Sequence, residues 1–181
     1  RNLRVGFGSI LADDMGLGKT LQVIALLLSD YLEQKDDKET KYDRGTLIVS
    51  PASLVYNWKS EFEKFAPELP VRMVSGTAAE RAEIIKNAGK QDILITSYDL
   101  LKRDVQEYAD YSFRSQVIDE AQYIKNHNTQ AAKAVKEIQA DFKLALTGTP
   151  VENRLSELWS IFDYLMLGFL YGYKKFHEEL E

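Results

Sequence analysis

Five short runs of β-branched and aliphatic residues recur along the chain, and each ends on a polar residue. They are Thr46-Leu-Ile-Val-Ser50, Val71-Arg-Met-Val-Ser75, Asp92-Ile-Leu-Ile-Thr96, Ser115-Gln-Val-Ile-Asp119 and Lys143-Leu-Ala-Leu-Thr147. Runs this short and this apolar suit strands covered on both faces, as in a parallel sheet. Helical stripes lie between and after them. Leu54, Val55, Trp58, Phe62 and Phe65 recur at helical spacing, with Lys59, Glu61, Glu63 and Lys64 on the opposite side. Ala131, Ala132, Ala134, Val135 and Ile138 repeat the pattern, as do Leu155, Leu158, Trp159, Phe162 and Leu165. The alternation predicts an α/β fold with a mostly parallel sheet between layers of helices. Ligands of such sheets bind beyond the carboxyl ends of the strands, so Ser50, Ser75, Thr96, Asp119 and Thr147 fall along the edge where chemistry is expected. Strand ends are also polar where they simply meet solvent, so this edge gains weight only from a ligand motif that shares it.

Such a motif opens the chain. Leu11-Ala-Asp-Asp-Met-Gly-Leu-Gly-Lys-Thr20 follows the apolar Ile10–Ala12 and precedes the apolar segment Leu21 to Leu28. Strand, glycine turn, Lys-Thr and helix in that order is what triphosphate binding needs. Glycines let backbone N–H groups close on phosphates, and the helix N-terminus adds the positive end of a dipole. Met15, Gly16, Leu17, Gly18, Lys19, Thr20 and Leu21 form this candidate nucleotide site. Lys19 reaches the β- and γ-phosphates, and the Thr20 hydroxyl is a magnesium ligand. The usual G-x-x-x-x-G-K-[ST] spacing puts a glycine where this chain has Asp13. Gly16 and Gly18 would serve an ordinary turn equally well, so the remainder of the chain decides.

Asp119-Glu-Ala-Gln122 stands directly after an apolar run, on the same expected edge. Adjacent carboxylates there have a use in phosphoryl transfer: Asp119 holds magnesium through its water shell, and Glu120 polarises the attacking water. Alone, such a pair is as readily the cap of a turn. Leu146-Thr-Gly-Thr-Pro150 follows another run, and elementary physics favours a tight turn into a helix with Pro150 near its first position.

At 181 residues the chain is long enough for one full core. No apolar run approaches the roughly 18 residues of a membrane span. The absence of cysteine excludes disulfides and thiolate metal sites, and His127 and His177 lack ligand spacing. A net charge of −5 does not mark a nucleic-acid binder, although a local groove can still be positive. The charged stretch Asp30 to Arg44 reads as a solvated helix end and surface loop.

Taken in order, these segments resemble the motifs of the Swi/Snf family of helicase-like ATPases. The resemblance rests on Asp13-Asp-Met-Gly-Leu-Gly-Lys-Thr20, Leu47-Ile-Val-Ser-Pro-Ala-Ser-Leu-Val-Tyr-Asn-Trp58 and Ile95-Thr-Ser-Tyr98. It continues through Asp119-Glu-Ala-Gln-Tyr-Ile-Lys-Asn126 and Leu146-Thr-Gly-Thr-Pro-Val-Glu-Asn153. Asp163-Tyr-Leu-Met166 and Lys174-Lys-Phe176 extend it towards the C-terminus. Asp13 then ceases to be an anomaly, because the family's loop commonly carries a carboxylate there.

The resemblance implies a three-layer RecA-like lobe, spanning residues 1–181, that uses ATP and Mg2+ and moves on double-stranded DNA. It implies Glu120, Asp119 and Lys19 as catalytic residues, with Thr20 and Asp119 as the magnesium ligands. Gln122, Thr147, Gly148 and Thr149 match coupling elements. Ser50, Pro51, Asn57, Trp58, Thr96, Ser97, Tyr98, Lys125 and Asn126 fall in motifs that contact DNA or frame its groove. For Trp58 and Tyr98 a place in the core competes with that role. Hydroxyls and backbone N–H groups such as those of Ser50 and Thr96 commonly grip phosphates.

Family members close two such lobes around ATP, and the second supplies an arginine finger worth about 10³–10⁵ in rate. The chain is therefore expected to be one lobe of a longer protein, cut at both ends and nearly inactive by itself. Its expected partners are duplex DNA, the second lobe and DNA-bound protein substrates, with no membrane. Gln122, where many eukaryotic members have histidine, favours a bacterial, cytoplasmic and nucleoid-associated setting, or a nuclear one in a eukaryote. Another P-loop NTPase and a non-catalytic interaction module are the alternatives.

Overall fold

The computed structural model describes residues 9–12, 17–34, 40–147, Ser160 and Tyr164. Six strands form one sheet: β1 (Ser9–Ala12), β2 (Arg44–Ser50), β3 (Val71–Met73), β4 (Ile93–Ser97), β5 (Ser112–Ile118) and β6 (Gln139–Thr147). Their order is β1-β6-β5-β2-β4-β3, and every pairing is parallel. Five α-helices with described bounds accompany them: α1 (Leu17–Gln34), α2 (Val55–Phe65), α3 (Ala78–Asn87), α4 (Tyr98–Asp104) and α5 (Gln130–Glu137). No helix among the described residues is long and apolar enough to cross a membrane.

The sheet is apolar on both faces because successive side chains alternate between them. Leu47 and Val49 of β2 join Leu101 of α4 and Val135 of α5 in one core. Ile48, between them, joins Val23 and Ile24 of α1 and Trp58 and Phe62 of α2 in the other. The helices therefore form two outer layers, with α1 and α2 on one face and α3, α4 and α5 on the opposite face. This is the three-layer arrangement that the alternating runs predict.

Register brings the carboxyl ends of the strands together. Ala12 lies beside Thr147, Ile118 beside both Ala145 and Val49, and Ser50 beside Ser97. The Asp119 N–H continues the ladder to the Val49 carbonyl at 2.8 Å. Four of the five expected polar strand ends reach this edge. Ser75 lies past the end of β3, which stops at Met73 before Gly76 turns the chain with φ +93°. A Cβ there would meet the Glu80 carboxylate, the mobile end of a side chain that can shift, so the turn needs glycine for its conformation.

Two helices are absent from the sequence reading. A capping box starts α3: Thr77 accepts from the Glu80 N–H, and the Glu80 side chain accepts from the Thr77 N–H. The helix α4 begins straight after β4, with Ser97 as its cap. Elsewhere the expected bounds shift. Ile138 is the residue after α5 rather than part of it, and β6 starts immediately at Gln139. Ala66 ends α2, as expected of a residue before proline. Asp30 is not solvated: both its carboxylate oxygens bind Arg114, at 2.8 and 2.9 Å. The helix expected around Leu155–Leu165 lies outside the described residues except for Ser160 and Tyr164. Both of these are helical and buried.

Candidate functional site

The first turn of α1 delivers Lys19 and Thr20 to the carboxyl edge of the sheet. No acidic residue occupies that turn, so nothing of opposite charge on the helix offsets its positive end. Lys19 is 5% exposed, and its ammonium donates to the Thr147 carbonyl at 2.6 Å. A buried lysine held on a backbone carbonyl, at the place where the loop leaves β1, is placed to exchange that partner for a phosphate oxygen. Thr20 and Gly18 are half-buried and Leu21 is 40% exposed. Asp13, Met15 and Gly16 lie outside the described residues, as do Gly148 and Thr149.

The hydroxyl side of Thr147 leads in the other direction. It donates to the Gln122 amide oxygen at 3.3 Å, and the Gln122 amide nitrogen donates to the Glu120 carboxylate. Lys19, Thr147, Gln122 and Glu120 thus form one hydrogen-bonded chain across the ends of α1, β6 and β5. Glu120 has left-handed backbone angles, φ 52° and ψ 56°. That conformation costs a non-glycine residue of the order of 1–3 kcal/mol, and such residues cluster at functional sites. It turns the chain after Asp119 into the 3-10 turn that follows.

Asp119 is held at three points. Its Oδ1 accepts from the Glu120 N–H at 2.8 Å, and its Oδ2 accepts from the Trp58 indole N–H at 2.8 Å. Its carbonyl accepts from the Tyr98 hydroxyl at 2.6 Å. Burial raises the Asp119 carboxyl above its ordinary value, and the neighbouring Glu120 charge adds to the rise. The two N–H donors and Lys19 oppose it. Its negative charge is therefore under-compensated, which a divalent cation would correct. Among the described residues no cluster of three or more acids and histidines is pre-assembled to hold a metal. Magnesium uses one or two carboxylates and takes its remaining oxygens from phosphates and water, and Asp119 and the Thr20 hydroxyl are oxygen donors of the kind that would hold it.

The residues assigned to DNA-contacting motifs divide sharply. Lys125, Asn126 and Asn57 are exposed, whereas Ser50, Pro51, Trp58, Thr96, Ser97 and Tyr98 are buried. These six side chains pack inside the protein, which for Trp58 and Tyr98 is the core place that competes with a DNA contact. Ser50 donates to the Pro51 carbonyl, and Ser97 accepts from the Leu100 N–H as the cap of α4. Trp58 and Tyr98 spend their polar atoms on Asp119. Burial also lifts the Tyr98 phenol well above its ordinary value, so it remains a donor. Sequence reasoning missed these two as supports of the acidic motif. The usable signal was that a buried indole N–H or phenol must find a partner. Tyr123, 53% exposed, stacks flat on Tyr98 with ring centroids 5.0 Å apart.

A cavity of about 30 Å³ lies at the opposite end of the sheet, beside Asp30, Thr46, Lys90 and Arg114. It has room for a water molecule, not a nucleotide.

The family model of the SNF2-related domain matches residues 2–181. The chain belongs to this family. An ATP-dependent helicase of Mycoplasma genitalium is 46% identical over 175 residues, covering 97% of this chain and 16% of the helicase. The TATA-binding protein-associated factor MOT1 of Saccharomyces cerevisiae is 43% identical over 174 residues, covering 93% of this chain and 9% of that protein. The Sulfolobus solfataricus SWI2/SNF2 ATPase core, solved with double-stranded DNA, superposes with a TM-score of 0.82 at 40% identity. It covers 97% of this chain and 35% of the solved one. The SNF2-related chain thus spans about a third of that core and much less of the two longer relatives. Its fold is that of the RecA-like ATPase core.

Proposed function

We propose that this SNF2-related chain is the ATP-binding lobe of a double-stranded-DNA-dependent ATPase and translocase. The observation that carries the reading is the continuous hydrogen-bonded chain from Lys19 through Thr147 and Gln122 to Glu120, with Asp119 beside it. It joins the group that would bind phosphate to the group that would activate water. ATP would supply the scissile phosphoanhydride, and Mg2+ would neutralise charge developing on its oxygens. Met15, Gly16, Leu17, Gly18 and Leu21 would shape the loop around the phosphates. Lys19 would leave the Thr147 carbonyl for a phosphate oxygen. Thr20 and Asp119 would face the cation, and Glu120 would orient the attacking water and take its proton.

The link through Gln122 and Thr147, continued by Gly148 and Thr149, would make occupancy of the phosphate site felt at the acidic loop. DNA would be met by exposed Lys125, Asn126 and Asn57, and by backbone N–H groups of the motifs whose side chains are buried. Lys and Asn contacts of this kind grip the phosphate backbone without reading sequence. Residues 1–181 would act as one lobe, with a second RecA-like lobe completing the site and DNA-bound proteins as the displaced cargo. The nucleoid, or chromatin in a nucleus, is the setting that such partners imply.

The test is hydrolysis by the intact protein with and without duplex DNA. Stimulation by duplex, lost in both Lys19→Ala and Glu120→Gln, supports the reading. DNA-independent turnover, or full activity of Glu120→Gln, refutes it.

A further inference from the structure

Trp58 lies 61 residues before Asp119 in sequence and on a different layer of the fold, yet its indole donates directly to the carboxylate. The side chain is 1% exposed and packs against Phe62, with ring centroids 6.0 Å apart. An indole so enclosed cannot swing away without movement of α2. Asp119 Oδ1 is already committed to the N–H of its own loop. The Trp58 bond on Oδ2 therefore fixes the remaining freedom, which is rotation of the carboxylate about the Cβ–Cγ bond. Each oxygen accepts one of these bonds, so each keeps lone-pair capacity for a further partner.

We infer that Trp58 is a positioning residue for Asp119, setting the direction in which the carboxylate meets the cation of a bound nucleotide and tying that direction to α2. The inference rests on the reading of this edge as an ATP–magnesium site. The same helix exposes Asn57 and, at 70%, Tyr56. Whatever docks on that face reaches the carboxylate through one rigid side chain. A buried indole N–H must find a partner. Here the N–H has one partner, and that partner is the acid proposed to face the cation.

The experiment measures binding of a non-hydrolysable ATP analogue to the intact protein as Mg2+ is titrated. Trp58→Phe keeps an aromatic ring in place and removes the N–H. It is expected to raise the Mg2+ concentration for half-maximal binding by about 10-fold, the lower end of what losing a partner of a metal-binding carboxylate costs. Binding at saturating Mg2+ should be unchanged. Phe62→Leu disturbs the same packing without touching the bond, so it should lower the melting temperature and leave the Mg2+ requirement alone. A wild-type Mg2+ requirement in Trp58→Phe, or an equal shift in Phe62→Leu, overturns the inference.

An unsubstituted sample gives an independent reading should Trp58→Phe fail to fold. The Trp58 indole N–H resonance, assigned with Trp159→Phe, should move when Mg2+ is added to the analogue-bound protein. It should not move when the analogue is added alone. An unmoved resonance overturns the inference. Absence of any Mg2+-dependent binding in the unsubstituted protein would overturn the underlying reading as well, so the two failures are distinguishable.

Discussion

The two ends of the sheet treat charge in opposite ways. At the amino ends, carboxylates are satisfied within the chain. Asp43 accepts from the N–H and hydroxyl of Ser112, and Asp141 accepts from Tyr42 and pairs with Lys41. Both carboxyls are held below their ordinary value by these bonds. Asp30 binds Arg114 with both oxygens. At the carboxyl ends, Asp119 sits half-buried beside Glu120, its carboxyl raised by burial, while Lys19 binds a carbonyl rather than either acid. One end contributes to the stability of the fold. On the proposed function the other keeps charge poised for a ligand, and it bears the backbone cost of Glu120. A folded domain tolerates such an end only if most of its polar groups elsewhere are well paired.

That contrast can be broken or sharpened by substitution, and the largest effect is expected at the poised end. Glu120→Gln should fold normally and lower DNA-stimulated ATP hydrolysis by the intact protein by about 10²–10⁴, the usual worth of a general base. Unchanged turnover would remove Glu120 from the chemistry. The next largest belongs to the satisfied class. Arg81 and Asp104 pair through two bonds, at 2.7 and 2.9 Å, with side chains 7% and 5% exposed. Asp104→Ala leaves a buried guanidinium without its acid and should cost roughly 3–5 kcal/mol in denaturant unfolding. Asp104 lies outside the proposed site, so Mg2+-dependent nucleotide affinity should survive in conditions where the variant is folded.

Lys19→Ala should do the reverse. It should weaken ATP binding about 10–100-fold, as loss of a charge-assisted hydrogen bond of roughly 1.5–3 kcal/mol implies. Its effect on unfolding should be smaller than that of Asp104→Ala. Equal losses of stability would mean that Lys19 is a structural residue like Arg81.

The smallest effect is in the pH dependence of stability without nucleotide or metal. The folded Asp119 carboxyl lies above its ordinary value of 3.8, so between the two values the native state holds more proton than the unfolded one. Its contribution therefore falls as pH rises through that window. Asp43 lies below 3.8, so its contribution is present above 3.8 and is lost as pH falls through the folded value. Unfolding of wild type, Asp119→Asn and Asp43→Asn from below pH 3.8 to neutrality should show the two differences with opposite slopes. Parallel slopes would erase the electrostatic distinction between the ends.

The sheet was readable in the sequence because its strands, buried on both faces, are unmistakable apolar runs. Thr46–Ser50 and Lys143–Thr147 lie wholly within β2 and β6. α3 escaped because its apolar face is narrow, although the capping pair Thr77 and Glu80 was visible. α4 escaped because seven residues make less than two full helical turns and no loop separates it from β4. At the site, the residues proposed to do the chemistry announce themselves through spacing, as Lys19, Thr20, Asp119 and Glu120 do. Residues that hold them in place do not. Whether Trp58, Ser97 or Tyr98 faces solvent or core depends on how α2 and α4 lie against the sheet, which no local pattern encodes. Asp30 was misread for the same reason, since its partner Arg114 is 84 residues away.

The central claim is that the poised end receives the nucleotide. The most direct measurement is a structure of the protein with a non-hydrolysable ATP analogue and Mg2+. The account expects the analogue at the N-terminus of α1, with the Lys19 ammonium moved from the Thr147 carbonyl to a phosphate oxygen and Asp119 facing the cation. An analogue bound elsewhere, or Lys19 still on Thr147 beneath a bound analogue, would contradict it.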